Sequence, residues 1–176
     1  VHLRQLIIEF LGQQVAPFDH EELIMTQALG TDRDRPIALN AIVGSAGWFD
    51  RLGRQFVEPA MVRDSDIGIA SGILTRAWAF ASDRVLAMIQ SKWVGDPQFD
   101  RICLRVLQDC PHWTREIADI AVAVVKRTMI APFELDYLVA TIGVDHPDFA
   151  MLLVMAKLDH DLDAAIAESS RRLELP

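Results

Sequence analysis

Two cysteines, one tyrosine and no uninterrupted apolar run longer than the eight residues from Phe149 to Ala156 set the first limits on this 176-residue chain. Such a run falls far short of the ~20 residues that cross a bilayer as a helix. Cys103 and Cys110 are seven residues apart. On one helix they share a face about 10 Å apart along the axis, too far for a disulfide. They read as reduced, partly buried thiols, and that places the protein in the cytoplasm. Basic residues are also scarce, 17 against 25 acidic, for a formal charge of −8. An extended phosphate-binding surface needs local positive excess, so nucleic acid is disfavoured as a partner. Hairpin dipeptides and two-residue alternation are missing, which argues against a β-rich fold. Signal and transit segments are absent, and so is an initiator Met; Val1 reads as the cut end of a longer protein, with an amphipathic helix already under way.

What is present is apolar side chain at helical spacing. Apolar residues make up 51% of the chain, and its length suits one domain spanning 1–176 that buries roughly two thirds of its unfolded surface. The period is three to four residues almost throughout, and segment boundaries carry helix punctuation, so the fold class is all-α. A first helix over about Leu3 to Gln14 ends before Pro17. Asp19 with Glu22 forms a capping-box pattern for a second helix, which runs to Gly30. "TDRDRP" is a charged loop whose Pro36 opens a third helix, "GSAG" at 44–47 is a turn, and a helix over Trp48 to Val57 stops before Pro59. The next segment, from Ser65 or Asp66 to Phe80, contains Gly68 and Gly72, which suggests close helix packing. Ser82 or Asp83 starts a helix ending at Gly95, and Asp96-Pro97 starts another; Pro111 separates that one from "WTREIADIAVAVVKRT". Three final helices are expected to begin near Pro132, near Pro147, and near Asp159 or Asp161.

One apolar template recurs three times. Leu3, Leu6, Ile7, Phe10 and Leu11 match Phe99, Ile102, Cys103, Val106 and Leu107, and then Leu135, Leu138, Val139 and Ile142. The second and third copies lie 36 residues apart, within the ~34 to ~47 residues of two-helix solenoid units. Any amphipathic helix has apolar residues at such spacing, so a compact multi-helix bundle is the alternative. Stretches such as "IADIAVAVV" and "FAMLLVMA" are apolar around almost the full circumference, as expected of a helix sandwiched between repeats. The alternation of "LRQLIIEFLGQQ", "DHEELIMTQAL", "PIALNAIVGSAGWFDRL", "DPQFDRICLRVLQDCPHW" and "TREIADIAVAVVKR" resembles HEAT-type α-solenoids, in particular the helical arrays attached to large bacterial regulatory NTPases. That resemblance implies a scaffold or partner-binding role, with no catalytic residue and no cofactor.

Candidate chemistry is sparse. "DHPD" at 145–148 and "DHDLD" at 159–163 hold histidines and carboxylates that would suit a divalent metal activating water. His160-Asp161 superficially resembles the central pair of all-helical phosphohydrolases, and a metal-dependent phosphohydrolase is the enzyme alternative. Helix capping by Asp145, Asp159 and Asp161 explains the same acids, so no metal site is assigned. "HEELI" at His20 lacks a second His, Ser45 lacks a nucleophile elbow, and Cys103 has no neighbouring activating His. A compact bundle with an internal pocket for a small ligand is a further alternative. Fourteen of the 17 basic residues are Arg, with Arg101 and Arg105 on one helix face. Arg suits interfaces because its planar fork makes two-point contacts. Trp48 and Trp113, near predicted helix ends, are candidate partner anchors if exposed, and inter-repeat wedges if not. The resulting expectation is a non-catalytic module that binds a protein partner or a flanking domain, with Arg101, Arg105, Trp48 and Trp113 as candidate contact residues.

Overall fold

The computed structural model describes residues 2–13, 19–42, 46–63 and 66–173, and every regular element among them is helical. Among them, no helix is long and apolar enough to cross a membrane. Where composition marks no internal boundary, packing does: the chain divides into two compact units, Val1–Lys92 and Trp93–Pro176.

The first unit contains α1 (His2–Gly12), α2 (Asp19–Leu29), α3 (Arg35–Ile42), α4 (Ala46–Leu52), a π-helical segment (Gly53–Val57), α5 (Glu58–Ala60) and α6 (Ile67–Lys92). The third helix packs against α1, α2 and α6, and its buried Ala38, Leu39 and Ile42 form the centre of the unit. Here the first copy of the template is corrected. Leu3, Leu6, Ile7 and Phe10 face outward, Leu3 with 73% of its surface exposed, while Ile8 and Leu11 are buried. The cause is the contact with α3: a Cβ on Gly12 would lie 2.6 Å from the Ala41 carbonyl oxygen, so the two backbones meet at this edge of α1. Trp48 joins the same corner by donating from Nε1 to the Leu11 carbonyl at 2.6 Å.

Three boundaries in this unit differ from the sequence reading. Pro59 does not end a helix; α4 widens into the π-helical segment and resumes in α5, whose first turn contains Pro59. A wider turn relieves the clash that proline makes with the carbonyl four residues earlier. Helix α4 begins at Ala46, inside the expected "GSAG" turn, whose Gly44 and Ser45 lie outside the described residues, as do Pro17 and Ser65. The two helices expected on either side of Ser82 are one element, α6, kinked at Ala81 (φ −143°, ψ 39°). Gly68 and Gly72 are not close-packing sites: both are exposed, and a Cβ on either would meet nothing within 4 Å.

The second unit starts with a 3₁₀ turn, Pro97–Phe99, whose Asp96 carboxylate accepts from the Gln98 amide. Gly95 precedes it at φ +97°, a backbone that side chains resist. Then come α7 (Asp100–Gln108), α8 (Arg115–Arg127), α9 (Pro132–Gly143) and α10 (Pro147–Leu173). Thr114 caps α8, its hydroxyl accepting from the Ile117 amide at 3.4 Å. The seventh helix packs on α8 and α9, and α10 packs on α8 and α9. The two template copies 36 residues apart thus occupy α7 and α9 and face the same core: Cys103, Val106 and Leu107 are buried in one, Leu135, Leu138 and Ile142 in the other. No helix begins at Asp159 or Asp161; α10 continues through both to Leu173, since nothing between Phe149 and Arg172 is glycine or proline.

Candidate functional site

Helices α7 and α9 bound an open groove of about 680 Å³. Its apolar floor is the groove-side edge of the core: half-buried Ile102 and buried Leu104 from α7, buried Leu135 and Leu138 from α9, and Ile130 from the preceding link. The α7 rim carries Arg101 and Arg105, one helical turn apart and both exposed. Among the described residues neither guanidinium has a hydrogen bond or ion pair. Phe133 and Tyr137, also one turn apart, form the α9 rim; Phe133 is 73% exposed. Acidic groups in the lining are already engaged. The Glu134 carboxylate accepts from the Ala131 amide at 3.0 Å, closing the first turn of α9, and Asp109 is partnered as well.

Below the floor the unit is locked. Asp100 is fully buried and accepts from Arg127 Nε at 3.0 and 2.9 Å, and from the Thr128 hydroxyl. The carboxylate hydrogen bond pushes the Arg127 guanidinium pKa up. Burial first, and then the nearby Asp100 charge, push the Cys103 thiol up to about 12. Cys110 is also raised, chiefly by burial, and its thiol lies 3.3 Å from the His112 carbonyl oxygen. A thiol held protonated is no nucleophile near neutral pH. The described groove residues include no Ser, Thr, Cys or His. Two free cations, two exposed rings and an apolar floor suit binding: an Arg fork takes a carboxylate with two hydrogen bonds, and the rings cover aliphatic or cationic groups.

The structure therefore brings Arg101 and Arg105 together on one rim and separates the tryptophans from them. Trp48 and Trp113 are both buried, and neither presents its ring to a partner on the surface. Trp113 keeps one polar feature of interest, an Nε1 donor that is buried with no partner among the described residues. The Asp and His cluster does not converge. His160 Nδ1 lies 2.8 Å from the Lys126 carbonyl, Asp159 faces Lys126 Nζ at 3.7 Å, Asp161 pairs with Lys157, and His146 stacks on Phe149. Among the described residues, no three His, Cys, Asp or Glu side chains are grouped to hold a metal ion. Phe133 and Tyr137 escaped the sequence reading; the available signal was their position one turn apart, out of register with Leu135, Leu138 and Ile142. The chain matches no protein-family model, no curated protein and no solved structure.

Proposed function

We propose that this chain is a non-catalytic protein-interaction module built of HEAT-like stacked helix pairs. Its α7–α9 groove takes an amphipathic segment with acidic side chains, supplied by a partner protein or by another domain of a longer chain. The stacking reading is supported by unit 2, where each helix packs on its successor's pair in the order expected of two consecutive repeats, α7 with α9 and α8 with α10. The observation that carries the binding reading is the pair of unpartnered guanidiniums, Arg101 and Arg105, above an apolar floor and opposite Phe133 and Tyr137. A buried carboxylate contact there has no competing acid to displace, since Glu134 is held at its helix start.

The test is fluorescence anisotropy with a labelled helical peptide carrying leucines on one face and glutamates along one edge, against the same peptide with lysines. The glutamate peptide should bind with Kd of order micromolar, and Arg101→Glu with Arg105→Glu should weaken it by about a hundredfold. No binding of the glutamate peptide, or binding of it unchanged in the double variant, would refute the assignment.

A further inference from the structure

The outer face of α10 has no role in the groove. Ala150, Leu153 and Ala156 are buried on its inner side. On the opposite side Met151, Met155, Leu158, Leu162 and Ile166 are all exposed, each by half or more. Their spacing of four, three, four and four residues makes one stripe about 22 Å long, the seam of a two-helix coil. From Asp161 to Arg171 every residue is exposed, so through those three turns the helix has no buried face. Isolated helices of this length are marginal in water, and most helical stability comes from packing an apolar face.

The edges of the stripe say what would cover it. At 100° per residue, Asp148, Asp159 and Asp163 lie along one edge, and Asp161 and Glu168 along the other. Of these acids, Asp159 has Lys126 of α8 beside it and Asp161 pairs with the largely buried Lys157. Asp148 and Asp163 have no ion pair among the described residues. A second copy of α10 laid on the stripe would set acidic edge against acidic edge, and an anionic membrane surface would be repelled in the same way. We infer that the Met151–Ile166 stripe is a docking strip for a partner helix whose apolar seam is edged by Lys or Arg. The two methionines at its inner end let the strip adapt to different seams.

The full chain is titrated against three labelled 21-residue helical peptides: leucine seam with lysine edges, leucine seam with glutamate edges, and serine seam with lysine edges. In the Arg101→Glu, Arg105→Glu variant, where the groove no longer takes an acidic peptide, the first should bind at least about tenfold more tightly than the second at low salt, with the gap narrowing as salt is added. The third should not bind, which separates docking from attraction to a chain of net charge −8. Leu158→Glu with Leu162→Glu should abolish binding of the first peptide, whereas Arg101→Glu with Arg105→Glu should leave it intact, so this strip and the groove stand or fall separately. Should the leucine variant lose helix content by circular dichroism, Asp148→Lys with Asp163→Lys decides instead, by reversing the preference toward the glutamate-edged peptide. Any of four outcomes overturns the proposal: no binding of the first peptide at about 100 μM, equal binding of the first two by the arginine variant, binding of the serine peptide, or a sedimentation dimer that the leucine variant dissolves.

Discussion

Arg127, the last residue of α8, holds both carboxylate oxygens of Asp100, the first residue of α7. The end of one helix thereby meets the start of the one before it, which makes the pair antiparallel. The charges also sit at favourable helix ends, the acid at an N-terminus and the cation at a C-terminus. Asp100→Ala leaves Arg127 and Thr128 without their acceptor, and should cost about 3–5 kcal/mol in urea unfolding. A loss under about 1 kcal/mol would show that the pair does not hold α7 on α8.

Leu107 and Leu138 lie in the core of the second unit, while Arg105 stands on the groove rim. Leu107→Ala and Leu138→Ala should each cost about 2–5 kcal/mol by loss of buried contact and creation of a cavity. Arg105→Ala should change stability by less than about 0.5 kcal/mol. Equal effects in denaturant would mean that the recurrent spacing does not mark a core.

Two glycines in helices should respond with opposite sign. Gly12→Ala forces a methyl into the Ala41 backbone and should destabilise by about 1–3 kcal/mol. Gly72→Ala meets open space in α6 and should stabilise by about 0.5–1 kcal/mol through helix propensity and a less flexible unfolded chain. Melting temperatures that fall for both variants would contradict the open environment of Gly72.

The Cys103 thiol is raised from its ordinary 9.0 to about 12. Its protonated form is favoured by folding, so that contribution is fully present below about pH 9 and is lost as pH climbs toward 12, by about 1.4 kcal/mol per unit. The stability difference between the wild-type chain and Cys103→Ala should therefore stay constant to about pH 9 and shrink above it. At pH 8, Ellman's reagent should modify Cys103 only once denaturant has opened the unit. Rapid labelling in the native state would contradict its burial.

The sequence by itself determined that the chain is helical and that Asp96-Pro97, Pro132 and Pro147 open elements, because these follow from local backbone chemistry. It also placed Arg101 and Arg105 on one outward face, since i and i+4 coincide on any helix. Tertiary structure alone decided what covers each apolar face. A period shows that a helix has such a face, and the same spacing is buried at Phe99–Leu107 yet exposed at Leu3–Phe10, because the edge at Gly12 is where α3 approaches. It decided that Asp159 and Asp161 lie inside a helix, where their carboxylates meet lysines, although as local sequence both resemble caps. And it turned Trp48 and Trp113 inward while leaving Phe133 and Tyr137 on the groove rim, because the fate of a large ring depends on the space that neighbouring helices leave for it.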